Sequence, residues 1–114
     1  MTTIYGIKNC DTMKKAMKWL DEAGIEYHFH DYKKVGVSPE LIDGWLSQFA
    51  WDELVNRRGT TWRKLDESVR ESMDTESAKA VMMENPSIIK RPLLDTGRER
   101  ILGFKADDYE ARLK

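Results

Sequence analysis

The chain changes its hydrophobic rhythm twice. Thr3-Ile4-Tyr5 is short and β-prone, and Gly6 closes it. Met13, Ala16, Met17 and Leu20 then recur at i, i+3, i+4 and i+7, which is one face of an amphipathic helix. Lys14, Lys15, Lys18, Asp21 and Glu22 take the polar side, and Gly24 is a plausible stop. Ile25 to Tyr32, IEYHFHDY, is rich in aromatics and reads as a second strand. A helical connection of this length favours parallel strands with a right-handed crossover.

From Ser38 onward the period is helical throughout. Ser38 caps a helix with Pro39 at its first position, and Leu41, Ile42, Trp45, Leu46 and Phe49 supply its apolar side. After Val35-Gly36-Val37, read as a loop, the block from Ser38 to Asn85 shows no strand signal. It continues through Trp51 to Val55, the polar turn NRRGTT, and Trp62, Leu65 and Val69 at helical spacing. Thr75 is the expected cap of a last helix carrying Ala78, Val81 and Met82, which must end near Pro86.

Beyond Pro86 the rhythm shortens again. Pro92-Leu93-Leu94-Asp95 and Arg100-Ile101-Leu102-Gly103 flank TGRE and predict a β-hairpin. Ala106 to Lys114 closes the chain as a short helix with Tyr109 and Leu113 inward. The order is thus β-α-β, a helical block, then β-β-α. With the block removed, a parallel pair joins an antiparallel hairpin in a mixed four-stranded sheet. This is an α/β, thioredoxin-like arrangement, in one domain over 1–114 with a helical insertion at about 38–86.

Composition narrows the possible roles. The chain has 114 residues, 34% charged and 40% hydrophobic, as expected of a globular domain with one core. A net charge of −1 supplies no field for nucleic acid or an anionic membrane. No stretch approaches the roughly 18 apolar residues of a membrane span, and no secretory signal is apparent. The single cysteine cannot form an internal disulfide, so a reducing, cytoplasmic setting is expected.

That cysteine, Cys10, falls where the first strand gives way to the first helix. Unpaired N–H groups and the positive end of the helix dipole favour a thiolate there, and the thiolate is the nucleophile. Lys8, Lys14 and Lys15 are close in sequence, whereas Asp11 opposes them. A small buried cysteine with no chemistry is the competing reading. The motif is Cys10-Asp11-Thr12-Met13, with Met13 where Cys-x-x-Cys has its second thiol. Any mixed disulfide at Cys10 must therefore be resolved by an external thiol, for which glutathione is the abundant candidate.

Other residues carry weaker signals. Arg57 or Arg58, Arg91 and Arg100 offer guanidinium forks suited to carboxylates and oxyanions. Arg91-Pro92 leads into a strand and is a candidate cis bond. His28 and His30 alternate on one strand face, but no further ligand cluster accompanies them, and no metal is expected. Trp45, Trp51 and Trp62 read as core of the helical block.

Taken together, YGIKNCDTMKKA, HDYKKVGV, NRRGTTWRKL and PSIIKRPLLD…GF resemble the ArsC/Spx/YffB family, and its YffB branch most closely. The resemblance covers nearly the whole chain. It implies a thioredoxin-like core with a helical insertion and a catalytic thiolate at Cys10, framed by Asn9, Thr12 and Pro92. It also implies anion-binding arginines at Arg91 and Arg100, with Arg58 as the third. No bound cofactor is implied, and glutathione would be co-substrate, with glutaredoxin as a further partner and a small-molecule or protein disulfide as substrate. A monomer is expected. The arsenate reductases of the family carry a small, neutral loop of the type NPACGTS, whereas Asp11 here would repel an oxyanion. The resemblance to the YffB branch implies a glutathione-dependent thiol-disulfide reductase as the expected activity. Arsenate reduction and a non-catalytic, Spx-like protein-binding adaptor are the alternatives.

Overall fold

A computed structural model describes residues 1–114 and divides them into two compact units, Met1–Asp31 with Arg91–Lys114, and Tyr32–Lys90. The first unit contains the sheet. Its strands are β1 (Thr3–Gly6), β2 (His28–Asp31), β3 (Leu93–Asp95) and β4 (Arg100–Leu102), in the order β2-β1-β3-β4. β1 and β2 run parallel, and the β1–β3 and β3–β4 pairs are antiparallel. This is the expected thioredoxin-like core, β-α-β followed by β-β-α.

The register shows why the sheet packs as it does. Phe29, Ile4, Leu94 and Ile101 form one row across all four strands. Ile4, Leu94 and Ile101 join Met13, Ala16 and Leu20 of α1 (Asp11–Glu22) and Tyr109 of the C-terminal helix, Ala106–Leu113, in one core. The alternation of strand side chains puts the neighbouring rows on the other face. These are His30-Tyr5-Leu93-Leu102 and His28-Thr3-Asp95-Arg100.

The second strand is shorter than the expected Ile25–Tyr32. Gly24, at φ 71°, ends α1 with Gly24 N–H donating to Asp21 O and Ile25 N–H to Leu20 O. The chain then needs Ile25 to Tyr27 to return to the sheet, and pairing starts only where β1 starts, at Thr3 beside His28. Tyr32 begins a short helix, α2 (Tyr32–Val35), which takes in Val35 from the expected loop.

The second unit holds α2, α3 (Pro39–Leu46), α4 (Trp51–Leu54), α5 (Thr60–Arg63), α6 (Glu67–Glu71) and α7 (Thr75–Glu84). The helix Ala106–Leu113 of the first unit is α8. Ser38 caps α3 as expected, its hydroxyl accepting from Leu41 N–H at 3.1 Å. The cap of α7 is Asp74, one residue before the expected Thr75. Its carboxylate accepts from Ser77 N–H at 2.9 Å, and Ser77 Oγ accepts from Asp74 N–H at 2.9 Å. The unit is not wholly helical. Buried Val55 and Ile89 make a single antiparallel bridge, with Lys90 N–H donating to Leu54 O at 2.6 Å. Trp45 is fully buried here, and Trp51 and Trp62 are half-buried. No helix in the chain is long and apolar enough to cross a membrane.

Candidate active site

Cys10 is the N-cap of α1. Its backbone is extended, at φ −131° and ψ 125°, and its carbonyl accepts from Lys14 N–H at 3.0 Å. The helix starts here because Met13, Ala16 and Leu20, all fully buried, pull one face onto the sheet. Cys10 itself is free and half-buried, packed against that core on one side. It caps the helix less tightly than a serine hydroxyl would, with no close side-chain hydrogen bond. The N–H groups of Met13 and Thr12 nonetheless face the sulfur closely enough to stabilise its anion.

The charged group acting on the sulfur comes from elsewhere in the chain. Arg91 donates toward Cys10 and adds its positive charge. Burial pushes the thiol pKa up, but the Met13 N–H, the Arg91 guanidinium and the Thr12 N–H together bring it below its ordinary value of 9.0. Arg91 reaches this position because Leu93 pairs with Tyr5, which sets residue 91 beside the loop that follows Gly6. The Arg91-Pro92 peptide is cis, and buried Pro92 is held by Gly103 N–H donating to its carbonyl at 2.8 Å.

The other residues expected at the site have different placements. Thr12 is exposed and contributes its N–H rather than its hydroxyl, and Asn9 is exposed in the β1–α1 loop. Arg100 occupies the His28-Thr3-Asp95 row, two residues along β1 from Tyr5 and away from the cysteine loop. Its Nε lies 3.4 Å from Asp95 Oδ2. Burial and then Asp95 raise the pKa of the Tyr5 phenol, against the pull of Arg100. Arg58 belongs to the helical unit. It is exposed in the turn before α5, where its N–H donates to Asn56 Oδ1 at 3.1 Å and its carbonyl accepts from Arg63 at 3.1 Å. Arg91 is thus the arginine that the first unit brings to the thiol. His28 is exposed, and the His30 ring lies tilted against that of Tyr5, with centroids 4.9 Å apart and planes at 45°. No three His, Cys, Asp or Glu side chains group in a way that could hold a metal ion.

Met13 has a larger part than its sequence reading gave it. It was legible as the absent second thiol and as part of the apolar face of α1, which the fold bears out by burying it fully. What the sequence did not show is that its N–H also faces the sulfur. The helix-entry position of Cys10 was the available signal, because the residues after an N-cap present free N–H groups.

The fold as a whole is similar to known proteins. The YFFB (PA3664) protein superposes with a TM-score of 0.96, at 47% identity and with full coverage of both chains. An arsenate reductase (ArsC) related protein from Brucella melitensis is 52% identical, with a TM-score of 0.79, over 99% of this chain and 94% of its own. An uncharacterized protein from Haemophilus influenzae is 48% identical over 97% of each chain. The global transcriptional regulator Spx of Staphylococcus haemolyticus is 22% identical over 95% of this chain and 83% of its own. The family model for ArsC matches residues 5–112, and the chain belongs to the ArsC family.

Proposed function

We propose that the protein is a glutathione-dependent thiol-disulfide reductase working through Cys10 alone. The observation that carries this reading is the environment of the sulfur: two backbone N–H groups and the Arg91 guanidinium favour its anion at the mouth of α1. The Cys10 thiolate attacks the glutathione sulfur of a glutathionylated substrate. A Cys10–glutathione disulfide forms, and the substrate sulfur leaves as a thiolate. A second glutathione thiolate then attacks the glutathione sulfur of that disulfide, releasing oxidised glutathione and restoring the Cys10 thiolate. Two glutathione units leave as one disulfide, and the substrate gains the electron pair and a proton. With Met13 fully buried where a second thiol would stand, the external thiol is required. A reducing, glutathione-rich setting such as the cytoplasm supplies it, directly or through glutaredoxin.

The test is incubation of the native protein with oxidised glutathione, read by intact mass. One glutathione adduct on wild type, absent from Cys10→Ser and removed by reduced glutathione, is expected. No adduct under native conditions overturns the mechanism. Arsenate reduction is the second reading, favoured by the likeness to an arsenate reductase-related protein. Asp11, exposed in the first turn, weighs against an oxyanion substrate. Arsenite release in a glutathione and glutaredoxin coupled assay would establish that reading, and no release removes it.

A further inference from the structure

We propose that Gly6 is a positioning residue for Cys10, because the hollow left by its missing Cβ seats Met13 and so fixes the first turn of α1 beneath the sulfur. The inference rests on Cys10 being the working thiolate proposed above. Gly6 is the last residue of β1, is buried and does not have a positive φ. Its need for glycine is therefore one of space. A Cβ there would stand 2.7 Å from Met13 Cε and 3.1 Å from Met13 Cγ, with Met13 Sδ closer still. Real Cβ atoms do not approach that closely, so Met13 would have to move.

Met13 has little room to move. It is fully buried in the cluster of Ile4, Ala16, Leu20, Leu94, Ile101 and Tyr109. Close-packed interiors pass strain on rather than absorb it. The clash falls mainly on Sδ and Cε at the flexible end of the Met13 side chain, and because the core encloses that end, the relief we infer is a displacement of the first turn of α1 away from β1. That turn carries the Met13 and Thr12 N–H groups facing Cys10. The charged side chain acting on the sulfur, Arg91, is held separately by the segment leading into β3. A shift of the turn would therefore move the two N–H donors relative to both the sulfur and the guanidinium. A merely structural glycine would change stability without changing the titration of the thiol.

The experiment compares wild type, Gly6→Ala, Met13→Ala and the double variant Gly6→Ala/Met13→Ala. Each is followed by thiolate absorbance and alkylation rate against pH, with circular dichroism to confirm folding. Gly6→Ala is expected to titrate at higher pH and to alkylate about threefold or more slowly at neutral pH. The double variant, with space restored, is expected to return to the profile of Met13→Ala. A folded Gly6→Ala with the wild-type profile overturns the inference. So does a double variant shifted as far as Gly6→Ala. If Gly6→Ala does not fold, the double variant decides: the Met13→Ala profile supports the inference and a raised one overturns it. An ordinary thiol titration in the wild type is a different result, which defeats the working-thiolate reading itself.

Discussion

The guanidinium of Arg91 lies against the sulfur of Cys10, linking the lead-in of β3 to the mouth of α1. It both donates to the sulfur and charges its surroundings, so Arg91→Ala removes two effects that favour the thiolate. Cys10 should then titrate at higher pH and react more slowly with iodoacetamide at neutral pH. Arg91→Lys keeps the charge without the fork and should fall between the two. Equal alkylation profiles for all three proteins would mean that the helix N–H groups alone hold the anion.

The same lowered thiol pKa has a signature in stability. A group whose folded pKa is depressed stabilises the fold fully above its ordinary value, and that contribution is lost as pH falls through the folded value. For Cys10 the ordinary value is 9.0. Wild type should thus gain stability over Cys10→Ser as pH climbs from the folded value toward 9.0, then level off. Serine is itself a good N-cap, so the slope of the difference is informative and its offset is not. Urea midpoints across this range provide the check, and parallel curves would count against a depressed thiol.

Periodicity made most of the fold legible, because strand and helix rhythms differ and the order of elements already limits the sheet. The entry of Cys10 into a helix, and its lack of a partner at Met13, were readable for the same reason. The pairing of Arg91 with Cys10 was implied by the family resemblance but not by periodicity or spacing, since it depends on Leu93 lying beside Tyr5 across the β1–β3 ladder. Arg91 and Arg100 look alike in the sequence. Register separates them, and Arg100 meets the carboxylate of Asp95. Asp74 and Thr75 are both good cap formers, so a one-residue error there is invisible before the hydrogen bonds are known. Gly6 read only as the end of a strand, because its close approach to Met13 is a tertiary fact.

Tyr109 is fully buried on α8, edge-on to Trp19 and Phe104 at 5.4 and 4.7 Å. Its hydroxyl has no hydrogen-bond partner, and burial alone raises its pKa far above the ordinary 10.0. A buried donor without a partner costs desolvation and returns nothing. Tyr109→Phe should therefore leave stability unchanged or raise it by up to about 1 kcal/mol. Tyr109→Ala, which empties the aromatic site, should cost about 3–5 kcal/mol. Urea denaturation of the two variants separates ring from hydroxyl. A loss above about 1 kcal/mol in Tyr109→Phe would mean that the hydroxyl is held after all.

The most direct trial of the one-thiol mechanism is to supply the missing sulfur. Residue 13 is the third residue of α1, one turn from Cys10 on the side that faces the core. Met13→Cys should cost about 1–3 kcal/mol, since it removes buried methylene groups beneath Gly6. It should also change the product of the reaction with oxidised glutathione. In wild type the adduct at Cys10 should persist until an external thiol arrives. In Met13→Cys the introduced thiol can attack the Cys10 sulfur, expel glutathione and leave an internal disulfide. Intact mass would then show a protein lighter by two hydrogens in place of the adduct, and turnover would lose its strict need for glutathione as the resolving thiol. A persistent adduct in a folded variant would show that the absent sulfur is not what makes the site depend on an outside thiol. The burial of position 13 would then be the reason, and the geometry of the first turn, rather than the identity of one side chain, would set how this thiol is recycled.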